Sequence, residues 1–299
     1  MSKKLLTFVA IATVAAASIT SARAELIYAV NGNNQLITFD SSAPGTILSR
    51  QNITNTGGDS ILNIDFRPAN GVLYGLSGNN SLYIINPMTG AATFVGTTTI
   101  TGGFDYGFDF NPAADRIRVA TDAGGNFRIN QTVMPPATIM DGNFFYVAGD
   151  PNAGITPQLA GAAYTNNVAG ASSTQLFYID FNLDILVFSP DPNGGSLQTR
   201  GALGINVTGL MGFDISGVTG DAFASLSTDG VTSSLYRIDL TTGAATLVGS
   251  GGIGAGETIL DISAAPIPEP SAYALILVSA VGLFLVRRGI AKRASSHLH

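Results

Sequence analysis

The 299-residue chain contains no cysteine and no tryptophan, and its two histidines, His297 and His299, lie within the last three residues. Without cysteine it can form no disulfide, no thiolate nucleophile and no zinc–thiolate site. Its body also has no imidazole for a Ser-His-Asp relay or for metal ligation. Carboxylates, tyrosine, serine, threonine and arginine are the side chains that remain for chemistry.

Positive charge is scarce in the body as well. All lysines lie near the termini, which excludes Schiff-base chemistry and a P-loop lysine from the body. Between residues 25 and 269, seven arginines stand against twenty acidic residues, a net charge of −13. Such a surface repels phosphates, so we expect no nucleic-acid partner. The 36 glycines and the low charged fraction of 11% favour a turn-rich all-β protein.

The first 24 residues have the composition of a signal peptide. Lys3 and Lys4 precede an apolar run over residues 5–19, and a small-x-small pattern follows. A transmembrane anchor or a core strand is the weaker interpretation because the run is short for a membrane span. We predict export and cleavage by signal peptidase. The predicted cleavage site consists of Ala22, Ala24 and Glu25, and Glu25 becomes the first residue of the mature chain.

The rest of the body repeats one unit, LNIDFRPANGVLYGLSGNNSLYIINPMTGAATFVG, which occupies residues 62–96. Four short runs rich in Val, Ile, Leu and Tyr are separated by turns of Gly, Asn and Pro, which is the pattern of β-hairpins. A four-strand unit of about 40 to 50 residues that recurs is typical of a propeller blade. The near-verbatim match between residues 82–96 and 235–249 is the strongest sign of repetition.

We predict an all-β fold over residues 25–263, a β-propeller of five four-stranded blades. The body begins with the second to fourth strands of a blade and ends with an isolated first strand at 259–262. Pairing these segments would close the ring and cover its edges. In the fourth blade, residues 175–180 are predicted as the third strand. A six-bladed ring, with a degenerate blade in residues 131–160, is the alternative.

An aspartate recurs on the predicted first, innermost strand. Propeller glycosidases place carboxylates around the central channel, and two carboxylates suffice for glycoside hydrolysis. The other interpretation is a structural device in which each carboxylate binds turn amides. Recurrence favours the structural interpretation, because catalysis breaks the symmetry of a repeat. The residues concerned are Asp65, Asp109, Asp214 and Asp261.

A second series of Asp and Asn residues follows the predicted third strands, commonly just before Thr-Gly. Such side chains cap their own turns, so we interpret the series as structural. Its members are Asp40, Asn86, Asn130, Asp180 and Asp239.

Residues 141–157 depart from the repeat, and long loops in compact domains are often functional. In one interpretation, residues 144–146 form an aromatic contact surface while Asp141 and Asp150 bind a hard cation through oxygen. In the simpler one, which we favour, residues 144–147 form a strand that covers an outer edge. Residues 191–195, DPNGG, have too few acidic ligands for calcium and predict a turn.

The C-terminal tail combines three features in order. A linker at 264–270 contains a Pro-Glu-Pro motif, an apolar run follows at 271–286, and the chain then becomes basic. This arrangement resembles the PEP-CTERM sorting signal of Gram-negative bacteria. Prolines before a helix and basic residues that stay in the cytoplasm fit that order. The motif residues are Pro268, Glu269 and Pro270, and the basic stop consists of Arg287, Arg288, Lys292 and Arg293.

The resemblance implies that an exosortase, a membrane transpeptidase, cleaves near the motif and removes the hydrophobic helix and basic tail at 271–299. The apolar run is a little shorter than the roughly 20 residues of a relaxed span, which suits transient membrane anchoring. A permanent anchor is the alternative. The body, with repeats such as Ile64-Asp65-Phe66, resembles an uncharacterised secreted bacterial domain family, from which no activity carries over.

Two classes of function remain open. We favour a non-catalytic binding or structural propeller at the cell surface or in the extracellular matrix, associated with exopolysaccharide or biofilm. Its expected partners are a polysaccharide or a matrix protein, and the sequence names no catalytic, cofactor or metal residue. The alternative is a carboxylate-dependent glycoside hydrolase or lyase that acts on extracellular polysaccharide. Fold alone does not decide between them.

Overall fold

The computed structural model describes residues 24–266. They form five small β-sheets arranged around one axis as the blades of a propeller. The Pro-Glu-Pro motif, the basic tail and nearly all of the predicted signal peptide lie outside the described residues. Within the described range, no helix is long and apolar enough to cross a membrane.

Each blade contains four antiparallel strands that follow one another from the axis outward. Blade 1 consists of β21 (Ile259–Ala264), β1 (Leu26–Asn31), β2 (Gln35–Asp40) and β3 (Ile47–Asn52). Blade 2 consists of β4 (Ile61–Arg67), β5 (Val72–Ser77), β6 (Ser81–Ile85) and β7 (Ala92–Thr97). Blade 3 consists of β8 (Tyr106–Asn111), β9 (Arg116–Thr121), β10 (Asn126–Asn130) and β11 (Ala137–Met140).

Blades 4 and 5 complete the ring. Blade 4 consists of β13 (Leu159–Tyr164), β14 (Leu176–Asp180), β15 (Ile185–Asp191) and β16 (Ser196–Ala202), with β12 (Phe145–Tyr146) added outside β16. Blade 5 consists of β17 (Met211–Ile215), β18 (Ala222–Leu226), β19 (Ser234–Ile238) and β20 (Ala245–Leu247). The innermost strands β21, β4, β8, β13 and β17 lie next to one another around the axis.

The ring closes through blade 1, as predicted. β21 pairs antiparallel with β1, with Ile27 opposite Ala264 and Ala29 opposite Ile262. The pairing gives hydrogen-bond partners to backbone that would otherwise form an open edge. Residues 131–160 hold β11 and β12, which are outer strands of blades 3 and 4, and the first two residues of β13. The five-bladed prediction is therefore confirmed, and the six-bladed alternative is wrong.

The second Asp and Asn series caps turns, as predicted. In every case the side chain accepts a hydrogen bond from the backbone N–H two residues further along the chain. These side chains are Asp40, Asn86, Asn130, Asp180 and Asp239.

Blade 4 differs from the prediction in the order of its strands. Residues 176–180 form β14, which is the second strand and not the predicted third, so the turn at Asp180 joins the second and third strands. An extended connection separates β13 from β14 where other blades have a tight turn. The true third strand, β15, contains Pro190 and pairs irregularly with β16. Proline is uncommon inside strands, so the sequence did not predict β15.

The hydrophobic core is divided among the interfaces between neighbouring blades. Leu76 of blade 2 packs with Phe110 and Val119 of blade 3 in one buried cluster. Phe177 of blade 4 and Phe213 of blade 5 belong to another. Each fully buried side chain of this size contributes about 1.5–3 kcal/mol to the free energy of unfolding. Packing between blades therefore stabilises the ring, and the polar residues of the innermost strands line its axis.

Candidate functional site

One polar level of the central channel links four of the five blades to the next. Asp65 Oδ2 on β4 accepts a hydrogen bond from the backbone N–H of Phe110 on β8, at 2.8 Å. Asp109 Oδ2 on β8 accepts one from the backbone N–H of Tyr164 on β13. Further round the ring, the N–H of Ala264 donates to Asp214 Oδ2 at 2.6 Å, and that of Phe66 donates to Ser263 Oγ at 3.3 Å.

We call Asp65, Asp109, Asp214 and Ser263 the inter-blade belt. The fifth position, on β13, is Ala163, which has no side-chain acceptor. Asp214 compensates for the gap, because its Oδ1 accepts the backbone N–H of Ile215 at 2.6 Å. The belt thus satisfies inner-strand amides that would otherwise be buried without partners. The recurring aspartates thus bind backbone amides, as the structural interpretation expects, although these amides belong to innermost strands, mostly of the next blade, and not to turns.

Asp261 does not belong to the belt, contrary to the sequence match. It precedes Ser263 by two residues and lies one level along the channel, beside Asn63. Its Oδ2 accepts hydrogen bonds from the backbone N–H of Ile64 at 3.0 Å and from Asn63 Nδ2 at 3.3 Å. The sequence match aligns the residue types of two strands. The position of a residue along the channel, however, is set by how neighbouring blades align with each other. The predicted equivalence of Asp261 and Asp65 is therefore wrong.

Glycines occupy this second level in blades 3 and 5. A Cβ atom on Gly107 would lie 2.8 Å from the backbone N of Ala162, and one on Gly212 would lie 2.4 Å from the backbone N of Ile262. The innermost strands approach too closely here for any side chain.

Negative charge accumulates within the belt. One carboxylate oxygen from each of Asp65, Asp109 and Asp214 lies within 4.8 Å of the others, and the three side chains are at most 2% exposed. Their hydrogen-bond partners in the described structure include no arginine. Burial raises the pKa of Asp109 well above its ordinary value, with repulsion from Asp65 as the next cause. The same two causes raise the pKa of Asp214 to about 7.

This geometry limits the chemistry of the belt. A glycosidase holds two carboxyl groups on either side of a scissile bond, with the sugar ring between them. The belt carboxylates are buried and already accept backbone hydrogen bonds, so a polysaccharide cannot reach them in this conformation. Their oxygens can still hold a proton or a small cation.

A second site lies between blades 3 and 4, where a cavity of about 370 Å³ is lined by three arginines. Arg116 and Arg118 come from β9, and Arg128 comes from β10, where it stands opposite Arg118 in the strand register. No acidic residue in the described part of the chain lines this space. We call it the arginine cavity. Its polar lining also includes Asn111, Tyr164, Ser173, Thr174 and Asn193.

Arg118 forms the floor of the arginine cavity and is 2% exposed. Its Nη1 donates to Asn126 Oδ1 at 2.6 Å and to Asp141 Oδ2 at 2.7 Å. Its Nη2 donates to Asn193 Oδ1 at 2.7 Å. These bonds come from blade 3, from the 141–157 segment and from the β15–β16 turn, so the guanidinium fixes three segments relative to one another.

Asp141 is shared between two guanidinium groups. Arg128 binds it through Nε at 2.6 Å and Nη2 at 2.8 Å, in addition to the bond from Arg118. Burial raises the pKa of Asp141, but the bonds from the two arginines outweigh burial and hold the pKa below its usual value. Arg116 donates only to the backbone carbonyl of Asp115. With three arginines and one carboxylate, the site carries an excess of two positive charges.

The 141–157 segment follows the simpler prediction. Phe145 and Tyr146 form β12, which pairs parallel with β16 and covers the outer edge of blade 4. Phe144 and Tyr146 are buried and Phe145 is exposed, so the three rings of residues 144–146 do not share one contact surface. Asp141 binds arginines, and Asp150 accepts hydrogen bonds from the N–H and hydroxyl of Thr199. The predicted turn at 191–195 is also present, with the N–H of Gly195 bonded to the carbonyl of Asp191.

The sequence interpretation missed the arginine cavity. The available signal was the clustering of Arg116, Arg118 and Arg128, three of the seven body arginines, on two adjacent predicted strands. Asn193 and Tyr164 come from the next blade, and their approach to Arg118 depends on how the blades pack.

The predicted processing residues divide at the boundary of the described range. The sorting motif at 268–270, the basic stop and Ala22 lie outside it. Glu25 belongs to the propeller and is largely buried. Its carboxylate accepts hydrogen bonds from the hydroxyls of Ser216 and Thr219 on blade 5, and its backbone N–H donates to Ser41 Oγ at 2.9 Å.

The fold is similar to several solved structures at low sequence identity. A structural-genomics protein of unknown function from Bacteroides thetaiotaomicron aligns with a TM-score of 0.50 and 15% identity, over 81% of this chain and 66% of that one. The nidogen/laminin complex contains a chain that aligns with a TM-score of 0.47 and 10% identity, over 81% and 98%. This chain therefore spans slightly less than two thirds of the Bacteroides protein. At these identities the likeness shows the fold alone.

A third similar structure is an auxiliary nutrient binding protein from Bacteroides thetaiotaomicron, with a TM-score of 0.41 and 13% identity over 67% of this chain and 56% of that one. No protein of curated function matches the chain. The model of one protein family, described as a domain of unknown function, DUF4394, matches residues 35–263. That range runs from β2 to the closing strand β21. The chain therefore belongs to the DUF4394 family.

Proposed function

We propose that this protein is an exported, non-catalytic binding propeller of the bacterial cell surface or extracellular matrix, and that the arginine cavity binds an acidic group of an extracellular polysaccharide. The observation that carries the proposal is the concentration of Arg116, Arg118 and Arg128 around one open cavity of a strongly acidic chain. A binding site for an anion needs such a local reversal of charge, because the rest of the surface repels it.

The arginine cavity keeps hydrogen-bond donors for a ligand. Arg128 uses Nε and Nη2 for Asp141, and its Nη1 has no partner among the described residues. Arg116 uses Nη1 for a backbone carbonyl, and its other donors are likewise without a partner in the described range. Guanidinium groups bind carboxylates in a planar, two-bond geometry that lysine cannot reproduce. A uronic-acid carboxylate matches these donors, and the hydroxyls and amides around them suit the rest of a sugar.

The inter-blade belt weighs against the hydrolase alternative. Asp65, Asp109 and Asp214 are the carboxylates that sequence symmetry suggested for acid–base catalysis, and they are buried in the channel. Among the described residues that line the arginine cavity, none carries a carboxylate that could act as a general acid. Binding an anion requires only hydrogen-bond donors, which the arginines of the cavity supply.

Binding can be tested with the purified full-length protein on immobilised polygalacturonate, with dextran as the neutral polymer. We expect binding to polygalacturonate that weakens as salt increases, because ion pairing contributes to it. Arg116→Gln removes an open guanidinium and should weaken binding about tenfold. Arg50→Gln is the matched control, since it removes the same charge on blade 1, where Arg50 pairs with Glu257. Equal binding by both variants, or equal binding to dextran, would refute the cavity as the site.

The sorting part of the proposal rests on Pro268, Glu269 and Pro270 and on the apolar and basic segments that follow. We propose that an exosortase cleaves there after transient membrane anchoring. Mass spectrometry of cell-bound and released protein from the native host tests this idea. The released form should begin at Glu25 and lack the basic stop at 287–293. An intact basic tail in every fraction would contradict processing and indicate a permanent anchor.

A further inference from the structure

We propose that the inter-blade belt binds one divalent cation of the calcium class, held in the central channel by carboxylate oxygens of Asp65, Asp109 and Asp214. This site is separate from the arginine cavity, so it adds a ligand to the protein whatever the arginine cavity binds.

The first argument is the spread of the oxygen atoms. One oxygen from each carboxylate lies within 4.8 Å of the others. Calcium binds oxygen at about 2.3–2.6 Å, so ligands across one ion are separated by up to about 5 Å. The three oxygens therefore have the spacing of a set that shares a single ion. Three carboxylates also supply more negative charge than one divalent cation needs.

The second argument is independent of the charge and concerns oxygens that lack donors. Asp109 Oδ1 is buried and accepts no hydrogen bond, although Oδ2 of the same group binds Tyr164. Asn63 Oδ1, one level along the channel, is buried and equally without a donor. Buried acceptors without partners destabilise a fold. A cation satisfies Asp109 directly, and a water molecule in its coordination shell would donate to Asn63.

Protonated carboxylates without a cation would explain only one of the two unpartnered oxygens. A proton on Asp109 would bridge to Asp65 and satisfy the carboxylates. The amide oxygen of Asn63 would still lack a donor, because a proton held between Asp109 and Asp65 is not available to it. The Nδ2 group of Asn63 donates to Asp261 and to the carbonyl of Tyr106. A hydrated cation accounts for both unpartnered oxygens at once.

The choice of calcium over magnesium follows from the rigidity of the belt. Asp65 and Asp214 are each held by strand amides of the next blade and by the hydroxyl of Ser263. Ligands fixed in this way cannot rearrange to the near-ideal octahedron that magnesium requires, whereas calcium accepts irregular coordination. A bound calcium ion would join blades 2, 3 and 5 at the centre of the ring.

The metal content of the full-length protein tests the proposal directly. After dialysis against metal-free buffer, elemental analysis should find about one calcium ion per chain. Treatment with a chelator should lower the melting temperature, and millimolar calcium should restore it, because a ligand that binds only the folded state stabilises it. Magnesium should restore it less. A protein that holds no metal and melts at the same temperature with and without millimolar calcium would overturn the proposal.

A pair of variants locates the ion. Asp109→Asn removes one ligand charge, and we expect at least a tenfold loss of calcium affinity, since even the partners of metal ligands change affinity about 10–100-fold. Asp261→Asn is the control, because Asp261 is equally buried in the channel and blade 2 already carries Asn63 at that level. Equal calcium affinity in Asp109→Asn and the parent would place the ion elsewhere. If Asp109→Asn does not fold, the titration of the parent protein still decides the matter.

Discussion

The inter-blade belt and the arginine cavity differ in sign, symmetry and access. The belt is acidic, closed and built from equivalent positions of several blades, whereas the cavity is basic, open and built from residues that only blades 3 and 4 possess. The belt residues recur in four of the five blades because they bind the innermost strands to one another. The cavity residues occur once, because their contacts, such as the bond from Arg118 to Asn193, belong to a single pair of blades. The proposed anion site thus arises from a departure from the repeat, whereas the proposed cation site arises from the repeated residues.

The largest expected effect concerns the floor of the arginine cavity. Arg118→Met should lower the free energy of unfolding by about 3–5 kcal/mol, because it leaves the buried carboxylate of Asp141 with one partner fewer and orphans Asn126 and Asn193. Urea unfolding measures the change. Arg200→Met is the control, since Arg200 stacks on the rings of Phe188 and Phe177, with its Cζ atom 4.4 Å and 6.0 Å from their centroids. A loss no greater than that of the control would show that Arg118 does not hold its three segments together.

The belt should respond to truncation somewhat less. In chelator, to exclude metal effects, Asp214→Ala removes the acceptor of the Ile215 and Ala264 amides and should cost about 2–4 kcal/mol in urea unfolding. Asn86→Ala, at an outer turn, should cost about 1 kcal/mol. Equal losses in the two variants would contradict the claim that the belt stabilises the fold more than the outer turns do.

The buried carboxylates also predict a pH dependence for the metal-free protein. The pKa of Asp214 is about 7 in the folded state and lower in the unfolded chain, so the folded state binds more protons between about pH 4 and pH 7. Its contribution to stability is fully present below about pH 4 and is lost as the pH rises through 7. Unfolding free energies in chelator should therefore fall by about 1–3 kcal/mol across this range, and Asp214→Asn should flatten the slope. A rise in stability over the same range would contradict the assigned direction.

The smallest expected change in stability is at the open side of the arginine cavity. Arg116→Gln should alter the free energy of unfolding by less than about 0.5 kcal/mol, because Arg116 binds only one backbone carbonyl. The same variant should still bind polygalacturonate about tenfold more weakly than the parent protein. A destabilisation as large as that of Arg118→Met would mean that both arginines are structural, and the proposed division of the cavity into floor and open side would be wrong.

Much of the fold could be predicted because blade structure is local. The alternation of apolar runs and turns predicts most of the strands. The isolated strand segment at 259–262 predicts how the ring closes. The predictions were wrong where the position of a residue depends on how two separate segments of the chain pack together. Ser263, and not Asp261, stands level with Asp65 because register is set between blades. Asn193 and Tyr164 meet Arg118 across an interface that no single strand encodes. β15 was not predicted because Pro190 makes its sequence less typical of a strand.

The closing strand has a mechanical consequence. Among the described residues, β21 is the last strand, and it is the innermost strand of blade 1. It pairs with β1 on one side. Hydrogen bonds from the Ala264 N–H to Asp214, and from the Ile64 and Phe66 N–H groups to Asp261 and Ser263, join it to the neighbouring innermost strands. A pull on the chain beyond Pro266 is transmitted into β21 along its length, so the backbone bonds of the β1–β21 pair are loaded in shear and share the force. A propeller tethered by this end would resist drag at its centre and not at its rim.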